Sequence, residues 1–324
     1  MAIPESDISV LIPTYRYRDK VGRAVASALD SGAGEILVVD DRSDDGTREL
    51  VAAIRDSRLS FIENETNLGL WENHLRALGA ATRPWIKFIQ ADDYLLPGGL
   101  AKYAAVAAAD VSVVTAAPVM RDDATGETWL TYALAQPARL DWAAFERMCL
   151  CFGNFLGSPS YMMLRADAID RDPALWRTQM SADMVAGAIA ASQGAVVVLP
   201  PGAVGHGVHA RQDAKTQRSV QGLQRMANSL AYLRARPEPG LRRLANLWTL
   251  ANLRAMARTF VRGVVRDVDS RAELVRCLSR LLVDPSLTDW REMLAARTAL
   301  SNALQARSRA GQPFDLQRLL AHAP

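Results

Sequence analysis

The sequence predicts an α/β protein: helices interleaved with a largely parallel sheet, then a mostly helical C-terminal region. Three observations carry this. Short apolar runs rich in β-branched residues alternate with helix-periodic segments through the first hundred or so positions, the pattern of βαβ units. Two of those runs end directly in paired acidic residues, as strands do where they open onto a binding crevice. From about Gln217 the strand-like runs vanish, and Leu, Ala and Arg recur at helical spacing.

The elements follow in order. Ile8-Ser-Val-Leu-Ile-Pro13 reads as a buried strand closed by proline. Asp19 is placed to cap a helix whose apolar face is Val21, Val25, Ala28 and Leu29, ended by Gly32 and Gly34. Glu35 to Asp40 is a second buried strand running into a polar turn, with a helix start at Thr47. Ser60 to Glu63 is a short third strand, and residues 64–69 form a loop. Leu70 to Ala81 has Trp71, Leu75 and Leu78 on one helical face. Trp85 to Ile89 is a fourth strand, and Gln90-Ala-Asp-Asp93 stands at its tip. A helix over 99–109, a strand over 111–115 and an edge strand over 128–132 come next. A helix over 141–150 and a strand over 159–164 follow. Ser181 is the expected N-cap of a helix over 181–191, Ala195 to Leu199 the last strand, and 202–209 a Gly/His loop. A boundary is expected near residue 215, and Pro and Asp clusters divide the remainder into roughly four helices.

Composition bounds the function. With 324 residues, the chain is one large domain or two ordinary ones, and 49% hydrophobic with 23% charged residues is the balance of a globular protein. Cys149, Cys151 and Cys277 make neither a disulfide framework nor a zinc spacing, so reduced, buried thiols are expected. The N-terminal residues lack a basic segment followed by an apolar one, and no run reaches ~18 apolar residues. A cytoplasmic protein without nucleic-acid partners is therefore expected. The net charge of +3 hides an asymmetry. Residues 216–324 hold 18 Arg, no Lys and 8 acidic residues, whereas residues 1–215 hold 20 basic and 27 acidic ones. Arg254, Arg258, Arg262 and Arg266 recur every four residues beside Met256, Phe260, Val261 and Val264. That stripe has two readings: docking on the acidic first part or dimerisation, and peripheral contact with an anionic membrane face.

The chemistry concentrates at Asp92 and Asp93. Adjacent carboxylates at a strand tip repel each other, and a hard divalent cation such as Mg²⁺ or Mn²⁺ relieves that repulsion while keeping positions open for phosphate oxygens. The Gly-rich turn of a dinucleotide fold is missing after the first strand.

Ile8-Ser-Val-Leu-Ile-Pro-Thr-Tyr15, Ile36-Leu-Val-Val-Asp-Asp-Arg-Ser-Asp-Asp-Gly-Thr47, Asn67-Leu-Gly69 and Ala91-Asp-Asp93 with Pro97 resemble, in order and spacing, the family 2 glycosyltransferases of GT-A fold. The close resemblance covers about residues 6–105 and a looser one runs to about 212. It implies inverting transfer of a sugar from a UDP- or dTDP-sugar to a saccharide, lipid-linked or glycan hydroxyl, with Mn²⁺ or Mg²⁺. It also implies a donor half over 1–110 and an acceptor half over 111–215. By resemblance, Pro13, Thr14, Tyr15, Asp40, Asp41, Asn67, Gly69 and Asp92 line the nucleotide site. Asp93 and His209, with His206 as the alternative to His209, serve the metal. Asp183, in the first turn of a helix, is the candidate catalytic base, with Asp167 and Asp172 as competitors in more turn-like contexts. Asn154, Ser158 and Arg211 reach the acceptor or phosphate, and Lys215 is a further phosphate candidate. Where many members carry Asp-x-Asp-Asp, this chain has Gln90-Ala-Asp-Asp93, which leaves the metal fewer protein ligands. Two rivals stay open: a nucleotidyltransferase of sugar phosphates, and a non-catalytic protein that keeps the fold.

Overall fold

A computed structural model of the chain describes residues 2–152, 154–178, 182–210, 220–238, 240–249 and 314–315. Its centre is an eight-stranded sheet in the order β10-β12-β6-β11-β4-β1-β2-β3. The strands are β1 (Ile8–Thr14), β2 (Glu35–Asp40), β3 (Leu59–Glu63), β4 (Trp85–Phe88), β6 (Val111–Ala116), β10 (Ala138–Leu140), β11 (Met162–Arg165) and β12 (Ala195–Leu199). β1 pairs parallel with both β2 and β4, and β2 parallel with β3, which is the parallel half foreseen. The sheet turns mixed at β11, which runs antiparallel to β4 and β6.

Helices cover both faces, so the central strands are buried on both sides and read as continuous apolar runs. On one face lie α1 (Arg18–Leu29), α2 (Thr47–Ala52) and α4 (Gly99–Val106), packed on Ile8, Val10, Ile12, Ile36 and Val38. On the other lie α3 (Leu70–Ala80), α5 (Trp142–Phe152), α6 (Pro173–Thr178), α7 (Ala182–Ala191) and α8 (Val220–Ala235), packed on Leu11, Leu37, Val39 and Ile86. Alternate residues of each strand serve alternate faces, as the pleat requires. Trp85 and Cys149 are buried in these cores, and Trp71 and Trp142 pack against one of them.

Three local expectations are corrected. Asp19 does not cap α1. The helix begins at Arg18, whose N–H donates to Asp45 Oδ2 at 3.0 Å from the loop after β2, while Asp19 lies inside the first turn. Residues 159–161 form a 3-10 turn and not the start of a strand, with Ser158 as its N-cap. Residues 204–208 form a strand and not a loop. This β13 (Val204–Val208) pairs antiparallel with β5 (Tyr94–Leu95) and parallel with β7 (Val119–Asp122), which in turn pairs with the edge strand β8 (Thr128–Leu130). Pairing on both sides imposes the extended backbone that Gly and His do not favour by themselves. A last pair joins β9 (Tyr132–Ala133) and β14 (Phe314–Asp315).

α8 docks on the sheet domain. Ala227, Leu230 and Leu233 are buried in the same core as α6 and α7, together with Leu241, Leu244 and Trp248 of the helical residues 240–249. Tyr232 donates to Asp170 Oδ2 at 2.7 Å, and Arg236 lies 3.1 Å from the same carboxylate. Arg211, Lys215, Ser181, Cys277 and the Arg254–Arg266 stripe lie outside the described residues. Among the described residues, no helix is long and apolar enough to cross a membrane.

Candidate active site

The carboxyl ends of β1, β2 and β4 meet at one edge of the sheet. Thr14 and Asp40 are register partners at the ends of their strands, and Ile89 N–H donates to Leu11 O at 2.9 Å, which carries the β4 tip to the same edge. Pro13 lies within β1 opposite Val39. Tyr15 projects from this edge, 39% exposed, with the Arg16 guanidinium 5.3 Å from its ring centre.

Asp41 organises the loop beside this edge. Its Oδ1 accepts from Leu68 N–H at 2.7 Å and from Asn64 Nδ2 at 2.9 Å, and its Oδ2 accepts from Gly69 N–H at 2.8 Å. Asn67 Nδ2 donates to the Asp41 carbonyl at 3.2 Å. Gly69 has φ +88°, a conformation open chiefly to glycine, and it delivers the chain into α3. Asn73 is structural: buried in α3, it donates to Val39 O and accepts from Asn64. Asp40 turns into its own loop, accepting from the Ser43 N–H and hydroxyl at 2.8 and 2.6 Å. Burial pushes its pKa up against the pull of those two bonds.

The Asp pair sits under β13. Asp93 is fully buried. Its Oδ1 accepts from Gly207 N–H at 3.1 Å and lies 2.9 Å from His206 Nδ1. Asp92 Oδ2 lies 3.0 Å from His209 Nε2. The pairing therefore sets His206 on Asp93, the expected metal carboxylate, and His209 on its neighbour. Burial and the Asp93 charge raise the pKa of Asp92, with His209 opposing. Burial disfavours protonation of His206, but Asp93, then Asp92 and Asp123, outweigh it and raise its pKa.

Clamping residues hold this arrangement. Arg23 of α1 donates to the Asp92 carbonyl at 2.7 Å, pairs with Asp123 at 3.0 Å and stacks 4.4 Å from the Tyr94 ring centre. Lys20 reaches the other Asp123 oxygen at 2.5 Å. Asp123 N–H donates to Val208 O at 3.0 Å, which ties the network to the histidine strand. Gly207 is required by closeness, because a Cβ there would stand 2.5 Å from the Asp92 carbonyl oxygen. Beneath the motif, Lys87 is fully buried in β4. Its ammonium donates to the carbonyls of Ser160, Phe88 and Met162 and lies 4.6 Å from the Tyr103 ring centre. Burial pushes its pKa down to about 7, with Asp93 opposing. Arg23 and Asp123 bear no mark in the sequence. Lys87 does: it is a lone charge inside the apolar run Trp85 to Ile89.

Asp183 lies in the first turn of α7, which packs on β6 and β11. Part of its surface stays accessible, yet it is set deep enough that burial pushes its pKa up to about 7, opposed by the backbone N–H groups of Met184 and Asp183. One turn further along, Gly187 abuts Leu156 and Met162, which flank the 3-10 turn bound to the Asp motif through Ser160. Asn154 donates to Gly157 O at 3.0 Å, and Ser158 caps the same turn.

The donor set suits a cation. Asp93 Oδ2 is buried with no hydrogen-bond partner among the described residues, and a carboxylate oxygen left so is costly without a positive partner. Among the described residues, no three His, Cys, Asp or Glu side chains converge into a complete ligand set. The arrangement fits a divalent ion that takes its remaining ligands from phosphate and water.

Comparison with known proteins agrees with this geometry. Residues 9–171 match the Glycosyl transferase family 2 profile. The succinoglycan biosynthesis protein ExoO of Rhizobium meliloti is 36% identical over 96 residues, 29% of this chain and 28% of that protein. WfaP of Escherichia coli, named a UDP-Glc:alpha-D-GlcNAc-diphosphoundecaprenol beta-1,3-glucosyltransferase, is 34% identical over 89 residues, 27% of this chain and 36% of its own. The chain thus matches about a third or less of the length of these relatives. In structure, S. aureus TarS 1-349 in complex with UDP-GlcNAc superposes with a TM-score of 0.66 at 15% identity, covering 94% of this chain and 92% of TarS. The Pyrobaculum calidifontis mannosyltransferase PcManGT, in complex with GDP-Man and Mn²⁺, gives 0.51 at 15% identity over 92% of this chain and 86% of its own. With the strand order, the Asp pair and the profile match in agreement, the chain belongs to glycosyl transferase family 2 and has the GT-A fold.

Proposed function

We propose that this protein transfers a sugar, with inversion, from a UDP- or dTDP-sugar to the hydroxyl of a saccharide or lipid-linked acceptor in the assembly of a surface polysaccharide. The observation that carries the reading is Asp93 Oδ2, buried in the turn after β4 with no hydrogen-bond partner among the described residues, beside His206 of β13 and His209 just past its end. The lipid-linked acceptor named for WfaP and the UDP-sugar held by TarS support the substrate classes.

In this reading the nucleoside packs at the strand edge formed by Thr14, Tyr15 and the loop that Asp41 holds. The diphosphate lies toward Asp92 and Asp93, where His206 and His209 supply imidazole nitrogens. Asp93, with Asp92 or a histidine, holds Mn²⁺ or Mg²⁺. Such an ion, when bound, offers Lewis-acid charge to a departing diphosphate. Asp183 takes the acceptor's hydroxyl proton onto its carboxylate as the acceptor oxygen bonds to the anomeric carbon and the bond from that carbon to the phosphate oxygen breaks. A base with a pKa near 7 is matched to that work at neutral pH.

The test is calorimetric binding of UDP, dTDP and GDP to wild type and Asp93→Asn, with and without Mn²⁺. Mn²⁺-dependent binding of one nucleotide, weakened at least tenfold in the variant (about 1.4 kcal/mol), supports the reading. Binding indifferent to both Mn²⁺ and Asp93 overturns the metal site, and no binding to any of the three overturns the donor assignment.

A further inference from the structure

The side chain of Gln90, the first residue of the Gln90-Ala-Asp-Asp93 turn, reaches a histidine of α3. Gln90 Nε2 lies 2.7 Å from His74 Nε2, and His74 Nδ1 lies 2.7 Å from Leu70 O. A carbonyl only accepts, so Nδ1 carries the ring proton, Nε2 is the acceptor and the Gln90 amide donates. The two contacts fix the tautomer and the amide orientation together. His74 is fully buried between Trp71 and Phe88, each ring centre 5.1 Å away. Leu70 opens α3, directly after the loop whose Leu68 and Gly69 N–H groups rest on Asp41. At its other end, Gln90 accepts from Asp93 N–H at 2.9 Å, and its own N–H donates to Ser160 Oγ at 2.9 Å.

We propose that Gln90 and His74 form a strut that sets the spacing between the loop 64–69 and the Asp92–Asp93 turn, so that one nucleoside diphosphate spans both. Gln90 is a positioning residue. A carboxylate in its place would face the lone pair of His74 Nε2, two acceptors with no proton between them. The amide supplies the missing hydrogen without bringing a charge into the core. The proposal rests on the donor site described above, with the nucleoside at the loop and the diphosphate at the turn.

The experiment compares wild type, Gln90→Leu, Gln90→Glu and the double variant Gln90→Glu/His74→Gln, in which the direction of donation is reversed. Two readouts are taken on the full chain: UDP affinity with Mn²⁺ by calorimetry, and amide hydrogen exchange at Leu68, Gly69 and Asp93. Loss of one hydrogen bond predicts exchange about tenfold faster at all three amides and UDP binding about tenfold weaker in Gln90→Leu. Gln90→Glu is expected to show losses at least as large, and the double variant to recover about tenfold over Gln90→Glu, as one restored hydrogen bond predicts, while staying below wild type because the charge remains. Imidazole nitrogen shifts of His74 should report the Nδ1–H tautomer. Unchanged exchange at Leu68 and Gly69 in Gln90→Leu, or an Nε2–H tautomer, overturns the strut. Wild type that binds none of UDP, dTDP and GDP overturns the donor reading instead, and the exchange and tautomer measurements still decide the strut. If Gln90→Leu fails to fold, the recovery of the double variant over Gln90→Glu decides it.

Discussion

At the scale of single residues, burial sets the protonation states that the proposed chemistry needs. Asp183 has its pKa pushed up to about 7 by desolvation, so the base form is gained as pH rises through that value. kcat/KM should therefore climb with pH up to about 7 and then level. Asp183→Asn should lower kcat about 10²- to 10⁴-fold with UDP affinity unchanged, as steady-state kinetics and calorimetry would report. Loss of UDP affinity in that variant would place Asp183 in the donor site. Lys87 gives a stability prediction of opposite origin. Its pKa is about 7 when folded and 10.5 in the unfolded chain, so the unfolded state binds the extra proton between those values. Stability should then rise with pH across that window, by at most about 1.4 kcal/mol per unit from this group. Urea titrations of wild type and Lys87→Met between pH 7 and 10.5 would test this, with the slope absent in the variant.

At the scale of elements, β13 is the part most dependent on its neighbours. It carries His206 and leads directly into His209, yet its central Gly205-His206-Gly207 has little strand propensity, and its place comes from β5, β7 and the Arg23–Asp123 clamp. Gly207→Ala puts a methyl group against the Asp92 carbonyl. The strand must shift, at a cost of about 1–3 kcal/mol in stability and with loss of Mn²⁺-dependent UDP binding. Thermal melts and calorimetry on the same sample would measure both. A variant that melts and binds as wild type would mean that the strand has slack that the packing does not suggest.

At the scale of the whole molecule, α8 is bound into the sheet domain. Leu230 lies in the core shared with α6 and α7, and Tyr232 and Arg236 meet Asp170 across the same contact. Leu230→Ala should cost about 2–5 kcal/mol in a single cooperative urea transition. A second, earlier transition in wild type would mean instead that the region after 216 unfolds by itself, as the boundary proposed near 215 would allow.

The sequence by itself determined the parallel half of the sheet, the strand tips and the family. Runs such as Ile36 to Val39 are apolar because both faces of the sheet are covered, and that pressure is local and periodic. It also marked Asp92 and Asp93, since charged pairs at strand tips stand out against such runs, and it marked the two histidines. What only the tertiary structure decided was which groups meet. The crossed pairing of His206 with Asp93 and His209 with Asp92 depends on the register of β13 against β7. The clamp from Arg23 to Asp123 and the reach of Gln90 to His74 join residues 100 and 16 positions apart. No spacing rule connects such residues, because the contact exists only once the sheet has set α1, α3 and β13 around one edge. The turn at Ser158–Tyr161 belongs to the same class: Met162 to Leu164 carries the strand pattern, but the carbonyls that hold Lys87 fix where the strand begins.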